Sequence, residues 1–386
     1  MFEKNKRDAV VVAYGRSALG RANKGSLVDE HPVEYGANVL KGVLEKLPGL
    51  ELDKIEDLVM GCSNPADITG YNIARSIAQR AGLPDDVPGQ TLTRFCASGL
   101  QSIETAANAI KAGEMDIVIA GGIEKMTGMV MGCPEEYQDP ELDPDIYMSM
   151  GITAENVAEM YNISREDMDK MAYESHMKAL KARESGKFKE EIIPITVRKG
   201  GEEIVLSEDE GIRPTTTVEG LAELKPCFIE NGKVTAATSS QMTDGAAFVV
   251  LMARETAEKL GYDPIATFVS FAVAGVPSRI MGIGPIKAVP KVMARTGLTI
   301  EDMDCIEINE AFAAQSLACI RELGLPMEKV NPNGGAMALG HPLGATGSVL
   351  TCKLLSELKR IKGRYGLVTM CIGTGMGAAG IYRMED

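Results

Sequence analysis

Two cysteines and one histidine stand where the surrounding sequence suits chemistry. Cys96 lies between a strand-like stretch and an alanine-rich helical stretch, where a helix dipole and exposed N–H groups favour a thiolate and can hold an oxyanion. His341 lies in G-H-P on a glycine-rich loop, and Cys371 opens C-I-G-T-G-M-G after an apolar strand. A thiol nucleophile activated by a histidine, with a second thiol that moves a proton, suits carbon-linked acyl transfer through a thioester.

Structural interpretations compete with these chemical ones. Cys96 could be a buried core cysteine, and the glycine-rich segments 331–347 and 371–380 could be tight turns. Asn309 follows a strand and precedes a helix, so it could cap that helix or orient a water or a substrate oxygen. The neighbouring Glu310 is assigned no chemistry.

The other two histidines carry no motif. His31 precedes a proline and a helix, so we expect a helix cap or a surface residue. His176 lies within the charged stretch YESHMKALK, so we expect a solvated side chain.

Composition argues against several other classes of protein. Eight cysteines and three histidines without a C-x-x-C motif argue against a zinc finger, an iron–sulfur cluster and a disulfide scaffold. The chain has 54 acidic and 40 basic residues, a net charge of −14 and no basic block, which argues against nucleic-acid binding. The first residues carry no apolar signal-peptide core, and no apolar run approaches ~18 residues. We therefore expect a cytoplasmic protein with reduced thiols and no membrane span.

The elements that must position these residues follow an α/β rhythm. Strands that alternate with helices predict a layered sheet covered on both faces. The predicted strands cover 9–13, 57–61, 91–95, 116–121, 246–253, 265–274, 304–308 and 367–371. The predicted helices cover 31–47, 71–81, 97–112, 286–296, 311–323 and 345–359. Cys96, Asn309 and Cys371 all fall at the carboxyl ends of predicted strands, where ligand sites gather in α/β sheets.

A different kind of sequence separates the two α/β stretches. Residues 128–150 are acidic and proline-rich, helices are predicted over 153–161 and 164–186 with Ser164 as N-cap, and 200–225 is polar and turn-rich. We therefore predict an inserted covering subdomain over 125–245. The N-terminal half would comprise 1–124 and 246–274, and the C-terminal half 275–386. Small residues lead into a helix at 95–100 and again at 341–346, which hints at duplicated halves.

The quoted motifs resemble those of the thiolases over essentially the whole chain, and most closely those of the degradative 3-ketoacyl-CoA thiolases. Four family loops, C-x-S, N-E-A-F, G-H-P and C-x-G, occur in order. They are Cys96–Ser98, Asn309–Phe312, Gly340–Pro342 and Cys371–Gly373. The resemblance implies the thiolase fold, an α/β fold with two duplicated βαβαβαββ-type halves packed as a five-layer α-β-α-β-α core.

The same resemblance implies a role for each site residue. Cys96 attacks the 3-keto carbon of a 3-ketoacyl-CoA and carries the acyl chain as a thioester. His341 and a water on Asn309 hold the acetyl-CoA enolate, which Cys371 protonates before it deprotonates a second CoA thiol. The N–H groups of Cys96 and Gly373 form the oxyanion hole for thioester addition. The reverse Claisen condensation uses the same residues, with coenzyme A as co-substrate and no metal or permanently bound cofactor.

The family pattern also implies a CoA site on the insertion. Arg213 would lie near the nucleotide end of CoA and Ser240 beside the pantetheine, while Met150 and Phe312 would line the acyl and pantetheine tunnel. A protein with net charge −14 needs local positive charge to bind anionic CoA. The alternative for Arg213 is a surface ion pair with a preceding acid, Asp209 or Glu210.

Departures from the biosynthetic members narrow the resemblance. Those enzymes carry His-Met before the insertion glycine, whereas this chain has Ser149–Met150–Gly151, and its loop near 123–149 is shorter. We therefore expect a degradative enzyme and a homodimer, with a tetramer and an association with other β-oxidation enzymes left open. A short-chain acetyl-CoA acetyltransferase is the alternative. A ketoacyl synthase would have a second histidine where Cys371 stands, and a non-catalytic lipid carrier would have lost one of the four loops.

Overall fold

The computed structural model describes residues 3–385. Its strands are β1 (Ala9–Arg16), β2 (Gly20–Arg21), β3 (Asp57–Gly61), β4 (Gly89–Leu92), β5 (Ile117–Glu124), β6 (Ile195–Lys199), β7 (Glu202–Leu206), β8 (Thr243–Ala253), β9 (Ala266–Gly275), β10 (Cys305–Ile308), β11 (Tyr365–Ile372) and β12 (Met376–Met384). Its α-helices are α1 (Pro32–Leu44), α2 (Ile73–Ala81), α3 (Ser98–Ala112), α4 (Met150–Met160), α5 (Arg165–Glu184), α6 (Val218–Ala222), α7 (Arg254–Leu260), α8 (Gly284–Thr296), α9 (Ala313–Leu323), α10 (Ala336–Leu339) and α11 (Thr346–Ile361).

The main sheet has mixed strand directions and two halves. Its order is β10-β11-β12-β9-β1-β8-β5-β3-β4, with β2 added beside β8. The pairs β10–β11, β3–β4 and β3–β5 are parallel, and the others are antiparallel. Strands β1 and β9 pair antiparallel over a short stretch at Val10 and Val11, and this pairing joins the two halves. The predicted α/β class is confirmed.

Helices cover both outer faces and fill the space between the halves. Helices α1 and α2 pack on one half, and α8 packs on the other with α9 beside it. Helices α3 and α11 pack against each other and against strands of both halves. The resulting order is α-β-α-β-α, the five-layer core that the resemblance implies.

The two central helices cross at glycines. A Cβ on Gly347 would lie 2.2 Å from the backbone nitrogen of Leu100, and a Cβ on Gly99 would lie 2.7 Å from the Ser348 hydroxyl. At this crossing the Ser348 Oγ donates a hydrogen bond to the Gly99 carbonyl at 3.1 Å. Only glycine permits so close an approach of the two backbones.

Two predicted helix caps are confirmed. His31 accepts a hydrogen bond from the Val33 N–H at 3.2 Å at the start of α1, where Pro32 occupies the first helical position. Ser164 Oγ accepts from the Asp167 N–H at 3.0 Å and caps α5.

The inserted region contains a hairpin that we did not predict. Strands β6 and β7 pair antiparallel, and β7 falls within the segment 200–225 expected to be polar and turn-rich. Gly200 and Gly201 join them with φ of 59° and 88°, left-handed values suited to a two-residue hairpin turn. The hairpin follows α5, so the region is more regular than its polar composition indicates.

A buried ion cluster fastens the inserted region to the first half of the sheet. Arg16, at the end of β1, is fully buried, and its guanidinium binds Asp209 through two hydrogen bonds of 2.7 and 2.9 Å. Its Nε also donates to Glu191 at 2.9 Å. Removing one member of such a cluster leaves an unpaired buried charge, so the cluster holds both segments in place.

The division into N-terminal half, insertion and C-terminal half stays a prediction. Strand β8 pairs with β1 and β5, whereas β9 pairs along most of its length with β12 and briefly with β1. Within 3–385, no helix has the length and apolar character needed to cross a membrane.

Candidate active site

Cys96 lies in a tight turn that comes directly before α3. The strand predicted over 91–95 instead ends at Leu92, because Phe95 adopts a left-handed φ of 44°. Ser98 fixes this turn, since its hydroxyl accepts from the Arg94 N–H at 2.8 Å and donates to the Phe95 carbonyl at 2.6 Å. The serine of C-x-S therefore sets the backbone that presents the thiol, and Cys96 is only 9% exposed.

The turn that carries Cys96 packs against the turn at 343–345 and against β11. The first neighbour follows His341 and the second contains Cys371. The structure thus brings three of the predicted catalytic residues to one region.

His341 is held by hydrogen bonds to both ring nitrogens. Nδ1 lies 2.6 Å from the Thr346 hydroxyl, and Nε2 lies 3.2 Å from Nδ2 of Asn309. Because the amide nitrogen donates to Nε2, the neutral ring carries its proton on Nδ1 and donates it to Thr346. The backbone N–H of His341 donates to the Gln241 carbonyl at 3.0 Å. Sequence reasoning missed Thr346, although its place at the start of a helix, five residues after His341, was a usable signal.

Asn309 directs its side chain at His341 and does not cap a helix. It follows β10, and its backbone N–H donates to the Thr369 carbonyl of β11 at 3.0 Å. Helix α9 begins only at Ala313, so the capping alternative is wrong. Among residues 3–385, nothing donates to the buried Oδ1 of Asn309.

Glu310 holds the neighbouring glycine-rich loop in place. Its carboxylate accepts from the Ser175 hydroxyl at 2.7 Å and from the Asn331 amide at 2.8 Å. It also accepts from the Met337 N–H at 3.2 Å. These contacts explain the presence of Glu310 as a structural residue, and they assign it no part in the chemistry.

Cys371 lies at the end of β11 in a small apolar cluster. The buried members beside it are Met281 and Ala311, and Met150 and Phe312 pack against them. The Met150 sulfur lies beside Gly373, 3.7 Å from where a Cβ would stand. The structure therefore places two predicted tunnel residues next to the second thiol.

The site carries no charge at rest. Burial raises the pKa of Cys96 to about 11, although the Gly373 N–H opposes this shift, and burial raises the pKa of Cys371 well above its usual range. Burial lowers the pKa of His341 to about 4. Desolvation therefore opposes the thiolate that the helix terminus favours at Cys96.

We expect the acid limb of the pH–rate profile to lie well below pH 6.5, the ordinary pKa of histidine. His341 stays neutral down to about pH 4, so its Nε2 keeps a lone pair for a proton throughout the neutral range. The measurement is kcat from pH 4.5 to 8, together with the His341 imidazole signal in NMR. A titration of that signal near pH 6.5 would contradict the expectation.

Arg213 lies at the edge of the insertion with an exposed side chain. The acids proposed as ion-pair partners are engaged elsewhere, Asp209 with Arg16 and Glu210 with the hydroxyl and N–H of Ser26. The ion-pair alternative is therefore wrong.

His176 is buried and contacts the backbone of Arg213. It is 4% exposed and accepts a hydrogen bond from the Arg213 N–H at 3.2 Å. Burial and the nearby guanidinium lower its pKa to about 4. The prediction of a solvated histidine is wrong, because α5 packs beneath the loop that carries Arg213.

Ser240 and Phe312 lie on adjoining segments. The Ser240 N–H donates to the Ala311 carbonyl at 2.9 Å, and Ser239 forms a bridge with Phe312. Phe312 packs edge-to-face on Phe228 with ring centroids 6.0 Å apart. Phe312 and Met150 both pack against the apolar cluster that contains Cys371.

Within the described residues, no group of three or more His, Cys, Asp or Glu side chains is arranged to hold a metal ion. The chemistry that the site offers is that of two thiols, a neutral imidazole and an amide.

Comparisons with known proteins agree with this geometry. The family model "Thiolase, N-terminal domain" matches residues 9–255, and "Thiolase, C-terminal domain" matches 262–384. A 3-ketoacyl-CoA thiolase of Bacillus subtilis (strain 168) is 49% identical over 390 residues, covering 98% of this chain and 100% of its own length. The peroxisomal 3-ketoacyl-CoA thiolase of Homo sapiens is 45% identical over 386 residues, covering 97% and 90%.

Solved structures show the same architecture. The acetyl-CoA acetyltransferase of Bacillus anthracis superposes with a TM-score of 0.92 at 40% identity, covering 98% of this chain and 99% of that one. Human mitochondrial 3-ketoacyl-CoA thiolase superposes with a TM-score of 0.91 at 35% identity, covering 98% and 100%. The chain belongs to the thiolase family. As a thiolase it is an acyltransferase, which confirms the predicted enzyme class.

Proposed function

We propose that this thiolase cleaves 3-ketoacyl-CoA with coenzyme A, giving acetyl-CoA and a shortened acyl-CoA, as one step of fatty-acid β-oxidation. The observation that carries the proposal is the pairing of Asn309 with His341 at 3.2 Å beside two buried thiols, Cys96 and Cys371. Relatives named 3-ketoacyl-CoA thiolase, 45–49% identical over nearly the whole chain, support it.

In the first half-reaction Cys96 attacks the 3-keto carbon while its proton passes to Nε2 of His341, which gives up the hydrogen bond from the Asn309 amide. The N–H groups of Cys96 and Gly373 stabilise the oxygen of the carbon bonded to sulfur. The C2–C3 bond then breaks, which leaves an acyl thioester on Cys96 and the enolate of acetyl-CoA. His341, and a water on Asn309, stabilise the enolate oxygen, and the Cys371 thiol donates its proton to C2.

The second half-reaction restores every proton. The Cys371 thiolate takes the proton from the thiol of a second CoA, whose sulfur attacks the acyl thioester. The tetrahedral intermediate expels Cys96, and the Cys96 sulfur recovers its proton from His341. In reverse, the same transfers perform Claisen condensation, so the residues require no metal or permanently bound cofactor.

Coenzyme A, the co-substrate, would bind along the insertion. Arg213, exposed and not engaged by Asp209 or Glu210, would meet the nucleotide end. Ser240 would lie beside the pantetheine, and Met150 and Phe312 would line the tunnel that ends at Cys371.

Thiolysis rates across short, medium and long 3-ketoacyl-CoAs test this function. We expect turnover across the series, since apolar side chains pack beside Cys371. Activity confined to acetoacetyl-CoA would contradict a broad-range enzyme and support the alternative, a short-chain acetyl-CoA acetyltransferase.

We also propose a cytoplasmic location and a homodimer. All eight cysteines are free, as expected in a reducing compartment. Strand β4 is an edge of the sheet, and an edge strand can pair with a strand of another chain. Close to this edge, Ile68, Tyr71 and Phe95 are 45%, 100% and 41% exposed. We leave open a tetramer and contacts with other β-oxidation enzymes.

Replacing Tyr71 by aspartate is expected to convert the dimer to monomer at micromolar concentration. The change places a charge on the most exposed member of the apolar group beside β4, where an interface would have to desolvate it. Analytical ultracentrifugation measures the mass. Tyr137→Asp, at a tyrosine 75% exposed on the 128–148 loop, is the matched control and should stay dimeric. Equal masses for both variants would contradict this interface.

A further inference from the structure

A buried carboxyl group that the mechanism does not use lies behind Cys96 and His341. Glu124 ends β5 and is fully buried. One oxygen, Oε2, accepts the Ser63 N–H at 2.8 Å and the Gly344 N–H at 2.6 Å. The other, Oε1, accepts from the Cys62 thiol at 3.6 Å. The side chain thus joins the loop after β3 to the turn before α11.

This carboxyl has no cationic partner in the described part of the chain. Backbone N–H groups and one thiol surround it, and burial raises its pKa to about 7 against their opposing effect. Burying an ionisable group without an opposite charge is costly, and such groups concentrate at functional sites. An apolar residue would fill the same space without that cost. The hydrogen bonds of the Glu124 carboxyl therefore indicate a specific role for it.

The turn held by Glu124 is the one that orients the imidazole. Ala345 and Thr346 both donate their N–H groups to the Pro342 carbonyl, at 2.7 and 3.1 Å. Thr346 in turn lies 2.6 Å from Nδ1 of His341. Gly344 packs closely against the loop at 62–64, because a Cβ at this position would lie 2.4 Å from the Ser63 nitrogen. Any shift of this turn would therefore move the Thr346 hydroxyl relative to the ring.

We propose that Glu124 is a positioning residue, which fixes the 342–346 turn against the loop at 62–64 and thereby sets the orientation of the His341 ring. The inference rests on the proposed role of His341 as base. The ring's placement, however, can be measured without any turnover, so a failure of this inference is distinguishable from a failure of the proposed function.

The test compares Glu124→Ala with Glu124→Gln in the full chain. Glutamine can keep an acceptor for both N–H groups, whereas alanine removes it. We expect kcat to fall about 30- to 100-fold in the alanine variant, with KM for both substrates within about threefold, and to stay within about threefold of the parent in the glutamine variant. If the alanine variant does not fold, Glu124→Asp, too short to reach both loops, replaces it with the same expectation.

Histidine NMR supplies the second readout. The chain has three histidines, so labelled protein gives three imidazole signals, and His341→Asn identifies the one sought. We expect the Nδ1–H signal of His341 to shift in Glu124→Ala and to return in Glu124→Gln. A shift in both variants, or in neither, would overturn the inference, whatever the activities are.

Glu155 provides the matched control. It is also buried and accepts backbone N–H groups of another loop, from Lys233 and Val234 at 2.8–3.0 Å. Glu155→Ala should destabilise the protein yet leave the His341 signal in place. The same shift in this variant would show general loosening and would overturn a specific role for Glu124.

Discussion

Replacing Cys96 by alanine is expected to reduce kcat for thiolysis by at least about 10⁴-fold, because no other group can carry the acyl chain. The structure supports this choice of thiol. The Gly373 N–H faces the Cys96 sulfur, and the turn that carries Cys96 packs against both the His341 loop and β11. Binding should survive, since the CoA contacts proposed on the insertion are untouched.

Mass spectrometry of the intact protein after mixing with a 3-ketoacyl-CoA measures the intermediate directly. The parent should gain the mass of the shortened acyl group, and the Cys96→Ala protein should gain none. Cys352→Ala is the control, since Cys352 is also buried but lies on α11 near Arg16 and Lys46. An acylated Cys96→Ala protein would refute the assignment.

Replacing Cys371 by alanine should reduce kcat about 10³-fold but leave an acyl enzyme that can be trapped. Both half-reactions use this thiol to move a proton, to C2 in the first and from CoA in the second. Cys96 keeps its base and its oxyanion donors, so it can still be acylated slowly. Without Cys371, the acyl thioester can react only with CoA whose thiol is already ionised.

This difference gives the Cys371 variant its own signature. Raising the pH ionises free CoA thiol, so deacylation should recover in part as pH rises from 7 to 9, whereas the Cys96 variant should stay inactive throughout. The measurement is the rate at which added CoA removes the acyl mass from trapped protein. Loss of activity without acyl-enzyme, at any pH, would show that acylation itself requires Cys371 and would contradict the expected trapped intermediate.

Local sequence was sufficient wherever an element depends on its own residues. The strands at 57–61 and 304–308, the helix over 97–112 and the caps at His31 and Ser164 need only apolar runs, propensity and a side-chain acceptor. The hairpin of β6 and β7 also had a local signal. Ile195 and Val197 alternate with polar residues before Gly-Gly, which is typical of a hairpin, but the polar composition of the region concealed it.

What could not be predicted depends on contacts between distant segments. His176 has a charged helical neighbourhood in sequence and becomes buried only because the Arg213 loop covers it. The desolvation of Cys96 also depends on distant segments, since the helix terminus is a local effect whereas burial comes from the whole fold. Glu124 carries no motif at all, and the role proposed for it depends on the N–H groups of Ser63 and Gly344, which come from distant segments and meet on the same oxygen.

The glycine crossing of α3 and α11 has a consequence for how the protein is made. Cys96 precedes α3 and His341 precedes α11. Neither helix can complete its packing until the other is present. During synthesis one face of α3 therefore stays uncovered until α11 has emerged from the ribosome. Two fragments that separate α3 from α11 would each leave one face of a central helix uncovered.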